Sequence, residues 1–115
     1  MEEKQIEYPR RRRVPRRDFI RPIGLLVQGR YYITRSLQIG EGGIKVEFHR
    51  PLQDQAEVVV TFQMPDSGPT VVRAVVRNQE PAPDELGLTH FGLEFCSLEF
   101  QVKRAIRNYV ALTAA

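Results

Sequence analysis

From Phe19 to Phe95 the chain alternates hydrophobic and polar residues in short runs, separated by glycine- and proline-rich breaks. Alternation with a period of two is the mark of a strand with one buried face. Phe19, Ile23, Leu25 and Val27 lie mainly on one phase and predict a first strand. Gln28-Gly29-Arg30 then reads as a tight turn. In the next run Tyr31, Ile33, Leu37 and Ile39 share a phase, against Tyr32, Thr34, Ser36 and Gln38. Gly40-Glu41-Gly42-Gly43 interrupts it, and three glycines in four positions predict a loop free to adopt positive φ. Ile44, Val46 and Phe48 alternate with Lys45, Glu47 and His49 in a third strand. Residues 57–64 and 70–77 predict a fourth and a fifth, with Arg73 and Arg77 on an exposed phase. After an acidic, proline-rich loop over 80–86, Phe91, Leu93 and Phe95 mark the sixth.

Beyond Cys96 the period changes. Leu98, Val102, Ile106, Tyr109 and Val110 follow helical spacing, while Lys103, Arg104, Arg107 and Asn108 take the opposite face. Ser97 is the expected N-cap, with Glu99 near the positive end of the helix dipole. The pattern predicts an all-β fold, a small six-stranded antiparallel barrel with one C-terminal α-helix. The predicted organisation is a disordered segment over 1–9 and one domain over 10–112. That domain divides into an arm at 10–18, a barrel at 19–96 and a helix at 97–112.

Charge changes the picture at one place. The net charge is +3, yet residues 1–21 hold eight basic and four acidic residues, and the remaining 94 hold nine basic and ten acidic. The basicity belongs to a flexible arm, in which Arg10, Arg11, Arg12, Arg13, Arg16 and Arg17 fall within eight residues. Pro15 blocks a helix there and biases Val14 towards extended backbone. Guanidinium forks match phosphate oxygens bidentately, so the arm is expected to seek an anion. A basic surface over the whole domain, as for a specific nucleic-acid binder, is not indicated.

The single cysteine, Cys96, excludes an intramolecular disulfide. No apolar run approaches the length of a membrane span. A cytoplasmic protein is expected. His49 and His90 lack a metal-ligand spacing, and no catalytic triad, Walker loop or paired-carboxylate motif stands out, so neither an enzyme nor a metal site is expected.

One predicted hairpin separates the arm from the glycine loop, and a hairpin returns the chain to the side it left. The two can therefore meet. Arginines that clamp phosphates or hydrogen-bond guanine, beside glycines that admit a phosphate to the backbone, describe a nucleotide pocket without a catalytic group.

The order arginine arm, hairpin, glycine loop, barrel and final helix resembles the PilZ domain, a bacterial receptor for cyclic di-GMP. The resemblance spans about residues 10–112. The family carries R-x-x-x-R and, a little over twenty residues later, D/N-x-S-x-x-G. Arg12 and Arg16 fit the first element, and Arg13 and Arg17 fit a less favoured register one residue on. The second element falls on Gln38-Ile39-Gly40-Glu41-Gly42-Gly43, and Phe91-Gly92-Leu93-Glu94-Phe95 is similar to the family's ending. Here Gln38 replaces the family's acidic or amide residue and Gly40 its serine, while Gly43 is retained.

The resemblance implies a non-catalytic receptor or adaptor with cyclic di-GMP as ligand and no other cofactor. Arg12 and Arg16 would be the main clamps, Arg11 and Arg13 would assist, and Gln38, Gly40 and Gly43 would line the barrel side. Binding would order the arm and change the surface offered to an unidentified effector protein. Exchanging a charge-assisted hydrogen bond for a neutral one at Gln38 is expected to cost about 1 kcal/mol. The alternative reading is a degenerate module that binds no nucleotide and works through protein contacts in motility or pilus machinery. On that reading Gln38→Asp with Gly40→Ser would install or strengthen binding.

Overall fold

The computed structural model describes residues 15–83 and 86–112. The expectations for residues 1–9, and for Arg11, Arg12 and Arg13, lie outside the described residues. Seven strands and one helix follow in chain order: β1 (Arg16–Asp18), β2 (Pro22–Val27), β3 (Arg30–Gly40), β4 (Gly43–Phe48), β5 (Glu57–Gln63), β6 (Pro69–Pro81), β7 (Thr89–Phe95) and α1 (Phe100–Ala111). β2 to β7 form one antiparallel sheet in the order β3-β2-β5-β6-β7-β4, and a β3–β4 pairing closes it into a six-stranded barrel. Closure leaves the barrel without open edges. β1 is the additional strand. It pairs with the end of β3 (Arg16 with Gly40, Asp18 with Gln38), while β2 pairs with the start of β3. The last three residues of the predicted arm are thus a paired strand, set end to end with β2 along one edge of β3.

The interior is filled from every strand, with Leu25, Ile39, Val46, Phe48, Val60, Ala74, Val76 and Phe91 nearly inaccessible. α1 adds Ile106 and Val110 to this core. Phe19, between β1 and β2, packs edge-on against Phe62 and Tyr109 and so joins barrel to helix. The β2–β3 hairpin turns at Gln28 (φ 49°) and Gly29 (φ 81°), the paired positive angles of a type I′ turn.

Three local expectations need correction. First, the alternation along β3 is not continuous. Tyr31 and Ile33 are 58% and 67% exposed, whereas Ser36 is buried. The inward residues at the start of β3 are therefore the Tyr32, Thr34 and Ser36 set. A bulge between Ser36 and Gln38 inserts Leu37 as an extra residue and exchanges the two faces, so Ile39 is again inside. Ser36 is tolerated in the core because its hydroxyl donates to the Phe19 carbonyl and accepts from the Arg21 N–H. Second, Gly40, Gly42 and Gly43 do not have positive φ; the left-handed glycines are Gly29 and Gly87. Third, Ser97 does not cap α1. Glu99 is the N-cap residue, without a side-chain cap hydrogen bond.

Candidate functional site

The outer face of β3, β4, β7 and β6 carries the site, and its shape follows from bulges and missing side chains. On β3 the bulge at Leu37 turns Gln38 outward, opposite Lys45 of β4. On β6 a second bulge between Val76 and Asn78 inserts Arg77 and sets Asn78 opposite Gly92 of β7. The two bulged strands flank the β4–β7 pair, whose register is Gly43 with Glu94, Lys45 with Gly92 and Glu47 with His90. Gly43 and Gly92 leave the middle of this face low. A Cβ at Gly43 would run into the Leu93 carbonyl oxygen, so glycine is required there for β4 and β7 to approach.

These features enclose a cleft of about 560 Å³. Small-molecule sites commonly span about 300–1,000 Å³. Of the residues singled out by sequence, Arg16, Gln38, Gly40 and Gly43 line it together. Gly40 lets β1 lie close: a Cβ there would come within 2.8 Å of the Pro15 carbonyl oxygen and 2.9 Å of Arg16 Cγ. Serine at this position therefore pushes on β1, which alters the expectation that Gly40→Ser improves the site. Lys45, Arg77, Asn78, Glu80, His90, Gly92 and Glu94 also line the cleft. Apart from Lys45, two residues past Gly43, they lie far along the chain from the motifs, and the sheet register brings them together. The outward phases of Lys45 and Arg77 were the available signals in the sequence.

Charge in the cleft is mostly paired. Arg77 donates to Glu94 and to Gln55. Lys45 Nζ lies 3.4 Å from Glu80 Oε2. Beside the cleft Glu47, 8% exposed, receives Arg35 at 2.9 Å and lies 3.3 Å from His90 Nε2. Arg16 has no ion pair among the described residues. Among those residues, no group of three or more His, Cys, Asp or Glu is arranged to hold a metal ion.

Neighbouring side chains of a strand point to opposite faces, and β1 uses both. Arg16 faces the cleft, while Arg17 turns to α1. The Arg17 guanidinium lies 4.1 Å from the centre of the Tyr109 ring and donates to the Tyr109 carbonyl at 2.9 Å. Tyr109 in turn donates its hydroxyl to the Asp18 carbonyl at 2.7 Å. The β3–β4 turn is also tied to the helix. Arg107 Nε and Nη2 reach the two carboxylate oxygens of Glu41 at 2.8 and 3.1 Å. The β1 and β3–β4-turn side of the cleft is thus fastened to α1.

The Arg107 hydrogen bonds hold the Glu41 carboxyl below the ordinary carboxylate range, with burial opposing and the Arg107 and Lys103 charges assisting. A lowered folded-state pKa contributes stability above the unfolded pKa, and this is lost as pH falls through the folded value. In carboxyl-carbon NMR titrations Glu41 is expected to titrate below the ordinary carboxylate range. Arg107→Gln is expected to return it towards that range.

The family model for the PilZ domain matches residues 10–112. The chain belongs to the PilZ domain family. No curated protein matches it. Among solved structures, this PilZ domain is similar to the Bacillus subtilis inhibitor of motility MotI/DgrA, with a TM-score of 0.79 and 19% identity over 90% of this chain and 51% of that one. It is also similar to MrkH of K. pneumonia in complex with c-di-GMP, with a TM-score of 0.71 and 18% identity over 90% and 52%. The PilZ domain of YcgR from Escherichia coli, solved with c-di-GMP, gives a TM-score of 0.66 and 15% identity over 89% and 90%. At such identities the likeness is one of fold. The chain spans about half the length of the first two. PilZ domains are generally non-catalytic binding domains. No helix among the described residues is long and apolar enough to cross a membrane.

Proposed function

We propose that this PilZ domain is a non-catalytic receptor for cyclic di-GMP that passes the signal to a separate protein. The observation that carries the reading is the convergence of Arg16, Gln38, Gly40 and Gly43 on one cleft. Two further points support it. Arg16 is a cation without an ion pair among the described residues, as a phosphate or guanine ligand requires. MrkH and YcgR, which share the fold, were solved with c-di-GMP.

In this reading the Arg16 fork takes a phosphate or the guanine O6/N7 pair. Arg12, one R-x-x-x-R spacing earlier, closes from the arm with Arg11 and Arg13 beside it. Gln38 accepts a hydrogen bond through its amide oxygen, and Gly40 and Gly43 admit the ligand to the backbone. Ordering of the arm alters the surface around β1 and α1, to which Arg17 and Arg107 are already fastened, and an effector protein reads that change.

The altered second motif favours the other reading, a module that works by protein contacts alone. Titration calorimetry with cyclic di-GMP separates the two. The receptor reading expects micromolar binding. It also expects Gln38→Asp to tighten binding about fivefold, the effect of restoring a charge-assisted hydrogen bond worth about 1 kcal/mol. Gln38→Asp is the cleaner variant, since Gly40→Ser also displaces β1. Wild-type protein that gives no heat at high micromolar ligand would favour the protein-contact reading.

A further inference from the structure

Lys45 and Glu80 form an ion pair across the cleft floor. Lys45 stands on β4 and Glu80 on β6, with β7 between them. The strand residue opposite Lys45 on β7 is Gly92, which contributes no side chain, and the ammonium passes over this gap to reach Glu80 Oε2 at 3.4 Å. The Asn78 side chain covers the same gap from β6, since a Cβ at Gly92 would strike its amide. On the other side Lys45 faces Gln38. Gln38, Lys45 and Glu80 thus form a polar line across four strands, within one cleft.

The pair contributes little to holding the fold together. Its side chains are 35% and 61% exposed, and exposed ion pairs add little to stability. It can therefore open when a ligand offers each member a better partner. The carboxylates nearby are less available: Glu94 is held by Arg77, and Glu47 by Arg35 and His90. Glu80 is the cleft carboxylate whose partner can leave with the ligand.

A guanine edge presents N1–H and N2–H side by side, two parallel donors. A carboxylate accepts both at once with charge assistance. The Gln38 amide has one acceptor oxygen, and its NH2 group opposes a second donor. The pocket, read as a site for a guanine dinucleotide, is thus short of one acceptor on the β3 side.

Building on the receptor reading above, we propose that Lys45–Glu80 is a specificity pair. It opens as cyclic di-GMP enters, the Lys45 ammonium takes a phosphate oxygen, and the Glu80 carboxylate accepts the guanine N2–H that Gln38, with its single acceptor, leaves unpaired. The second acceptor is supplied from β6.

The test uses calorimetric titration of the full chain with cyclic di-GMP and with its di-inosine analogue, which lacks the N2 amino groups. Wild-type protein is expected to prefer cyclic di-GMP by about tenfold. Glu80→Gln should lower affinity for cyclic di-GMP about tenfold and remove the preference, with the melting temperature unchanged. Lys45→Met should weaken both compounds to a similar extent. If wild type binds but Glu80→Gln keeps both affinity and preference, the specificity pair is overturned while the receptor reading stands. If wild type binds neither compound, both fall.

Discussion

Replacing Arg16 by alanine is expected to weaken cyclic di-GMP binding about tenfold to a hundredfold and to leave thermal stability almost unchanged. Hydrogen bonds to charged groups contribute about 1.5–3 kcal/mol each, and about 1.4 kcal/mol is a factor of ten in affinity. Arg16 lines the cleft and has no ion pair among the described residues, so its loss unpairs nothing in the free protein. The adjacent arginine gives the opposite result. Arg17 donates to the Tyr109 carbonyl and lies over its ring, so Arg17→Ala removes part of the tie between β1 and α1, the Tyr109–Asp18 hydrogen bond remaining. That change should cost about 1–2 kcal/mol of stability and affect binding only through the loosened strand. Calorimetry and thermal unfolding of the two variants measure this crossing pattern. Equal loss of affinity in both would assign the arm's effect to bulk charge, without a place for the register that turns Arg16 to the cleft.

Gly43→Ala is expected to lower stability by about 2–3 kcal/mol, the upper part of the range for overpacking a filled site. For a domain of this size that is a fall of roughly 8–12 °C in melting temperature. A methyl group at Gly43 meets the Leu93 carbonyl oxygen, which belongs to the β4–β7 ladder and cannot rotate away as a side chain would. The same ladder holds Phe95 N–H to the Gly42 carbonyl at 2.9 Å. Gly42 is the internal control. A Cβ there has nothing within 4 Å and its φ is not positive, so Gly42→Ala should change the melting temperature by a degree or two at most. If both variants melt alike, close strand approach is not the reason for glycine at position 43.

Much of the barrel was legible because half-buried strands force a period of two. Ile44, Val46 and Phe48, and Phe91, Leu93 and Phe95, point inward as their alternation requires. The helix was legible from Ile106 and Val110. The errors cluster where one residue is added or a side chain is absent. Leu37 inserts into β3 without any local mark, since a bulge is defined by the partner strand, and this misassigned the outward Tyr31 and Ile33. The break at the glycines was located but drawn too wide and explained wrongly: only Glu41 and Gly42 lie between strands, and Gly40 and Gly43, in β3 and β4, serve close backbone approach to Pro15 and Leu93, not unusual φ. At the site, the members next to a recognisable motif could be named from sequence. Asn78, Glu80 and His90 could not, because only the register of β4, β6 and β7 brings them into the same cleft, and Lys45, two residues past Gly43, read only as the polar phase of a strand.

The most direct test of the receptor claim is a two-dimensional amide NMR titration of the wild-type chain with cyclic di-GMP. Saturable shifts are expected at Arg16, at residues 38–43 and at Gly92, followed by smaller shifts at Arg107 and Tyr109 on α1 as the fastened helix responds. Spectra that stay unchanged at high micromolar ligand would contradict the receptor claim, and so would shifts confined to residues away from the cleft.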